Sequence, residues 1–263
     1  IKKFIYGTLP YYFMKGYKPG SPYLKYYEYI KEHGYSRHLY EFKDEYANMN
    51  VDVQKDEEKG LYYVQKEKKR LYFRKSTPAK KIQKYYRALS MEQDRRSPHH
   101  YFNSVKEVTG KVFVDVGCAE GYSSLEIIEE AKHVYLFEQD EQWLEAIRAT
   151  FEPWQDKVTI VQKYVSDHNS SREQTLDDFF NNQTNEHLFL KMDIEGAERH
   201  ALAGCNNLFQ NCQKLDFAIC TYHLRDDEEV ISAFLDKHNC TYINQKGFFR
   251  HKIRSVVMRG SKK

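Results

Sequence analysis

Two groups of residues in this chain can do chemistry. The first is Asp115-Val116-Gly117-Cys118-Ala119-Glu120-Gly121, followed one apolar run later by Glu138. An acid, two glycines four apart and a second acid mark the corner at which an open α/β sheet holds a nucleoside. A carboxylate at Glu138 can accept hydrogen bonds from both hydroxyls of a ribose. The second group is Asp193, Glu195 and His223. An imidazole beside carboxylates can take a proton from a hydroxyl, with a carboxylate orienting the ring. The same groups can instead hold a Mg²⁺-type ion through oxygen ligands.

The turn at 117–121 narrows the cofactor. The dinucleotide fingerprint has a middle glycine that admits a pyrophosphate. Here Cys118, Ala119 and Glu120 fill that space, and Glu120 sets a negative charge where the pyrophosphate would lie. An NAD-dependent oxidoreductase is disfavoured. S-adenosylmethionine (SAM) carries no phosphate and has a sulfonium and an ammonium, so it suits the loop. Asp115 and Glu120 are expected at its cationic side. N–H groups of the turn, from Gly117 to Gly121, are expected at its carboxylate. Glu138 and Gln139 are expected at the ribose, Ser166 and Asp167 at the adenine edge, and Asp193 beside the cofactor. The alternative is an ordinary strand–helix turn with a solvated acid.

The elements that must position these groups alternate from about residue 105 onward. Apolar runs at 112–116, 134–138, 158–162, 187–193 and 215–222 predict strands. Their continuous apolar character predicts a parallel sheet with both faces covered. Helical spacing predicts helices near 122–132, 141–151, 195–203 and 227–238. Two last strands, 241–245 and 255–258, have no helix between them and should pair antiparallel. The expected fold is α/β: a doubly wound, Rossmann-like, mostly parallel sheet of the class I methyltransferase layout with a C-terminal antiparallel hairpin. In such sheets the ligand lies beyond the carboxyl ends of the strands. That places Asp115, Glu138, Ser166, Asp193 and His223 on one rim. Glu198 and Glu195 fall in the first turn of the expected helix, where acids are favoured without any function. Lys191 is expected to pair with a neighbouring acid, and His200 to be a surface histidine.

Residues 1–100 read as a small α+β appendage covering the acceptor side, and 101–263 as the main domain. Ser21 is expected to cap a helix with Pro22 at its first position and Gly34 past its end. A short helix is expected over 36–46, a hairpin over 62–73 with a charged turn, and a helix starting at Thr77-Pro78. His99, Tyr101 and Tyr222 are expected to line the acceptor pocket.

Composition sets bounds. A net charge of +3 over 263 residues gives little footprint for nucleic acid. No run approaches the length of a membrane span. Five cysteines without a C-x-x-C pair suggest buried thiols in a reducing, cytoplasmic setting. The chain starts at Ile1, so a targeting segment can precede it. The 22 tyrosines crowd the first third; they suit flat polar ligands such as sugars, or amphipathic packing. The basic stretch 66–75, with Lys80 and Lys81, is a solvated face or a rim for an acidic acceptor.

Four motifs carry a resemblance: Val114-Asp115-Val116-Gly117 with Gly121, Phe137-Glu138, Leu176-Asp177-Asp178-Phe179, and Lys191-Met192-Asp193-Ile194-Glu195-Gly196-Ala197-Glu198. Over about 112–223 the chain resembles the FkbM-like family of SAM-dependent methyltransferases. It departs from the commoner pattern at 138–140, where Glu-Gln-Asp replaces Glu-Pro. The resemblance implies methylation of a hydroxyl on a sugar or a glycosylated or polyketide product. The acceptor can then be a small molecule or glycan, including a nucleotide-linked or phosphorylated one. Other readings are a methyltransferase for a protein side chain or metabolite, and a silent cofactor-binding partner subunit. Asp193-Ile194-Glu195-Gly196 stands where nucleic-acid amine methyltransferases often carry Asp/Asn-Pro-Pro-Tyr, which argues against that substrate.

Overall fold

The computed structural model describes residues 19–34, 36, 39–181, 186–249 and 252–262. The first helix of the described residues, α1, spans Leu24–His33, two residues later than Ser21 and Pro22 imply. Ser21 instead closes an entry turn, its carbonyl accepting from Leu24 N–H at 3.0 Å. Gly34 ends the helix at φ 78°, as expected. Of the helix expected over 36–46, the described residues form α2 only at Lys43–Ala47; Tyr35, Arg37 and His38 lie outside them. Strands β1 (Val53–Asp56), β2 (Leu61–Lys66) and β3 (Lys69–Tyr72) build a small antiparallel sheet. The hairpin was legible, whereas β1 adds an edge that its exposed, charged residues do not announce. Helix α3 follows at Ala79–Glu92.

The main sheet gathers β4 (Val112–Val116), β5 (His133–Phe137), β6 (Val158–Val161), β9 (His187–Met192) and β10 (Lys214–Cys220) in parallel. Short strands β7 (Tyr164–Val165) and β8 (Glu173–Gln174) pair apart from it. Strands β11 (Thr241–Phe249) and β12 (Lys252–Lys262) form the antiparallel C-terminal hairpin, longer than expected and kinked between Gln245 and Lys246. The order is β11-β12-β10-β9-β4-β5-β6. The chain therefore reverses direction across the sheet between β4 and β9, and ligand crevices form at such a switch point. The covering helices are α4 (Tyr122–Ile127), α5 (Glu141–Phe151), α6 (Leu176–Phe179), α7 (Glu198–Ala203), α8 (Asn206–Asn211) and α9 (Asp227–Lys237). Helix α4 stops well short of 132. Helix α7 starts at Glu198 because Glu195 (φ 55°) and Gly196 (φ 107°) turn left-handed before it.

One apolar core joins the appendage to the sheet. Leu61, Leu71, Phe73 and Ile82 are buried in the same cluster as Phe113, Leu125 and Ile147. A second cluster lies on the other face around Leu190, Phe209 and Phe217. The five cysteines are free thiols and four are buried. No helix among the described residues is long and apolar enough to cross a membrane. The C-terminal hairpin grips the loop leading into β4. Gln245 Nε2 donates to the carbonyls of Pro98 (3.1 Å) and His100 (2.9 Å), and Arg259 donates to Asn103 (3.0 Å) and Glu107 (2.6 Å).

Candidate active site

The corner after β4 is built on a buried ion pair. Asp115 faces Lys191 across the β4–β9 register, and Lys191 Nζ stands 2.7 Å from Asp115 Oδ1. Ser124 Oγ donates to Asp115 Oδ2 at 2.6 Å, and Lys191 also donates to the Gly117 carbonyl at 2.7 Å. Burial pushes the Lys191 pKa down, but the charges of Asp115 and Asp193 and the hydrogen bond to Asp115 together raise it by more, so the ammonium stays charged. Lys191 thus pairs with an acid outside its own motif. Both Asp115 oxygens are held by protein groups, so Asp115 fixes the turn from within. Gly117 (φ 79°) lets this turn approach β9: a Cβ there would lie 2.1 Å from the Asp193 carbonyl. Gly121 is not among the residues lining the cleft; its missing Cβ makes room for the Phe151 ring.

The cleft beyond the strand ends has a volume of about 960 Å³. Gly117, Glu120, Glu138, Gln139, Ser166, Asp167 and Asp193 all line it. Glu138 is held in place by two backbone donors, Ala119 N–H at 3.0 Å and Asp140 N–H at 2.8 Å. Glu120 is buried and accepts from Tyr85 Oη at 2.9 Å. Burial pushes its pKa up to about 6. Asp167 meets His168 at 2.8 Å and the exposed His200 at 3.3 Å, and these partners lower its pKa. Apart from Arg74, the basic stretch does not rim the cleft. Lys66 sits over the Tyr122 ring, Lys69 donates to the Leu125 carbonyl, and Arg70 reaches Asp56. Only Arg74 of that stretch lines the cleft, stacked on Trp143 and paired with Asp140.

One wall of the cleft comes from α3, through Tyr85, Leu89 and Glu92, and from Gln93 and Tyr101. The described residues before 51 do not line it. Tyr222 lines it from the end of β10. His99 does not: it is buried behind Tyr222, its ring 5.2 Å away edge-on and its Nδ1 2.5 Å from Tyr40 Oη. His100 is likewise turned inward, toward Ser97 and Arg259.

Beyond β9 and β10 the second group comes together. Asp193 lines the cleft, and its Oδ2 accepts from Tyr101 Oη at 2.6 Å. His223 lies behind it with 8% of its side chain exposed, its Nε2 3.5 Å from Asp193 Oδ1 and 3.6 Å from Glu195 Oε2. Glu195 is 90% exposed at the cleft. The carboxylate closest to the ring comes from the first turn of α7. Glu198, fully buried, stands 2.8 Å from His223 Nδ1. It also accepts from Ile194 N–H at 2.9 Å and Gly196 N–H at 3.0 Å. An acid two residues after a left-handed glycine, at the first helical position, is the available signal: its side chain folds back onto the preceding turn. No aligned hydrogen-bond partner meets either ring nitrogen of His223 among the described residues. Burial pushes the His223 pKa down, but Glu198, with Asp193 and Glu195, raises it by more.

A family model described as the methyltransferase FkbM domain matches residues 28–243. Among solved structures, the chain is similar to methyltransferase FkbM from Methylobacillus flagellatus at 19% identity and a TM-score of 0.47. That match covers 57% of this chain and 43% of the other, so the chain spans under half of that relative's length. It is similar as well to the magnesium protoporphyrin IX methyltransferase of Synechocystis, solved with bound SAM, at 12% identity and a TM-score of 0.45. There 72% of this chain and 86% of the other are covered. No curated protein gives a match.

Proposed function

Because the chain belongs to the FkbM methyltransferase family, we propose that its cleft moves a methyl group from SAM to a hydroxyl of a sugar or glycoconjugate. When bound, SAM supplies an electrophilic methyl group on a sulfonium. The residues present fit it. Glu138, set by two N–H donors, keeps lone pairs for ribose hydroxyls. Ser166 and Asp167 stand where an adenine edge is read, and Glu120 offers a buried acid to the cationic side.

The single observation that carries the hydroxyl acceptor is Asp193, a carboxylate at the cleft held by Tyr101 on one oxygen and backed by His223 on the other. With SAM bound, Asp193 and His223 would take the acceptor O–H proton as the methyl group leaves the sulfonium, which becomes a neutral thioether, for the acceptor oxygen, and Glu198 would steady the imidazolium. Tyr85, Tyr101 and Tyr222 offer flat faces, and Glu92 and Gln93 offer polar atoms, as a sugar needs. The tied-down basic stretch supports a neutral acceptor over a phosphorylated one. Isotope-labelled SAM offered with neutral and phosphorylated oligosaccharides and nucleotide sugars tests this, products being identified by mass spectrometry. Asp193→Asn should lower kcat ~10²–10⁴-fold with SAM affinity little changed. Methylation confined to an amine or a protein side chain refutes the hydroxyl reading.

A second reading gives the centre a divalent cation. Ligand atoms of Asp193, Glu198 and His223 lie within 4.8 Å of one another, and His223 Nε2, buried and without a hydrogen-bond partner among the described residues, favours it.

A further inference from the structure

We propose that this centre is a site for a divalent transition ion of the Mn²⁺ kind, held by His223 Nε2, Asp193 Oδ1 and Glu195 Oε2, with Glu198 behind the histidine and not on the ion. The proposal rests on the cation reading above and specifies its ligands and its metal. The two sides of the imidazole differ. Glu198 meets Nδ1, and its oxygens are already committed to the N–H groups of Ile194 and Gly196. A ligating histidine ordinarily turns its other ring nitrogen to such a carboxylate, which fixes the tautomer. Nε2 is then the nitrogen left for a ligand. It is buried, without a hydrogen-bond partner among the described residues, and faces Asp193 Oδ1 at 3.5 Å and Glu195 Oε2 at 3.6 Å.

Both separations from the ring suit an ion, and Glu195, on an exposed side chain, closes toward Asp193 as the ion is bound. Ligand atoms about 2.0–2.2 Å from a metal stand about 3–3.6 Å from one another at octahedral or tetrahedral angles. Two further features fit. Tyr101 Oη holds the other oxygen of Asp193, leaving Oδ1 toward the histidine. Glu195 reaches into the cleft on a left-handed residue (φ 55°) and is 90% exposed, so an ion arriving from the cleft meets it first. One imidazole with two carboxylates selects the metal. Mg²⁺ seeks oxygen ligands and keeps its waters, whereas imidazole nitrogen favours first-row transition ions. Of the divalent ions, the proposal therefore takes one that accepts nitrogen in place of the Mg²⁺-type alternative the sequence allowed. The remaining coordination positions open toward the cleft, where an acceptor hydroxyl would bind and lose acidity.

The test uses the full chain stripped with chelator and dialysed. Titration calorimetry with MnCl₂ and with MgCl₂, and Mn²⁺ electron paramagnetic resonance, read binding without reference to turnover. We expect one Mn²⁺ per chain, bound at least ~10-fold more tightly than Mg²⁺. Glu195→Gln should weaken Mn²⁺ roughly 10–100-fold at unchanged melting temperature, since its side chain is exposed. Glu198→Gln should weaken it by a similar factor through the histidine. Equal affinity for Mg²⁺ overturns the choice of metal. Unchanged Mn²⁺ binding in Glu195→Gln overturns the ligand set. No Mn²⁺ binding by a chain that binds SAM in the same calorimeter overturns the site and leaves the methyl-transfer reading standing. A chain that binds Mn²⁺ but not SAM overturns that reading instead.

Discussion

Lys191→Met isolates the ion pair beneath the cofactor corner. Methionine keeps most of the lysine stem, so the change removes the ammonium with little loss of packing. Asp115 is then left 1% exposed with only the Ser124 hydroxyl for a partner. Breaking a buried pair from one side costs about 3–5 kcal/mol, because the surviving charge has no water. For a chain of this size each kcal/mol moves Tm by about 2–4 °C, so Tm should fall by about 6–20 °C. The lost bond to the Gly117 carbonyl also loosens the turn, and SAM affinity should fall with it. Asp115→Asn combined with Lys191→Met removes both charges and keeps an acceptor for Ser124. That double variant should regain about 2 kcal/mol or more over Lys191→Met alone. Urea unfolding followed by tryptophan fluorescence measures both. A loss below about 1 kcal/mol in the single variant, or a double variant no better than the single, refutes the reasoning.

Two further outcomes follow from the same corner. Glu120 has a folded pKa of about 6 against an ordinary 4.5. Its protonated form is the one the fold favours, so the stability it contributes is present below about pH 4.5 and lost as pH rises through about 6. The penalty at pH 8 is ~2 kcal/mol. Glu120→Gln should therefore be more stable than the parent by up to ~2 kcal/mol at pH 8 and nearly neutral near pH 4.5, by urea midpoints; an equal difference at both pH values contradicts this. Gly117→Ala places a methyl 2.1 Å from the Asp193 carbonyl in a left-handed conformation. It should cost roughly 2–4 kcal/mol and sharply reduce SAM binding by calorimetry, and a variant with native stability and affinity contradicts the packing described.

The sheet was legible because its strands are buried on both faces and write themselves as unbroken apolar runs. Val112–Val116 and Val158–Val161 begin where the runs begin. The appendage was less legible. Strand β1, Val-Gln-Lys-Asp, has the burial pattern of an edge, and Leu24–His33 begins where a turn ends and not at the nearest good cap. At the cleft, Asp115, Glu138, Ser166 and Asp193 fall on the rim because chain direction alone places strand ends there, whereas His223, expected beside them, lies buried behind Asp193. Groups that meet only through strand order were not legible. Lys191 reaches Asp115 because β9 lies beside β4, and Glu198 reaches His223 because β10 lies beside β9. His99 was misplaced because adjacent loop histidines do not say which way each ring turns; Tyr40, from a distant segment, takes it inward.

The clamp between the C-terminal hairpin and the 98–107 loop has a consequence for how the molecule is made. Strand β12 inserts between β10 and β11, and it leaves the ribosome after every other strand of the sheet. Gln245 of β11 takes the carbonyls of Pro98 and His100, and Arg259 of β12 then fixes Asn103 and Glu107, so the loop that carries Tyr101 to Asp193 is fully held only once the hairpin is made. The β4–β5–β6 half, with Gly117 and Glu138, is by then already synthesised. A nascent chain can thus complete the turn after β4 well before the loop that carries Tyr101 is clamped, so the two sides of the cleft are set at different stages of synthesis.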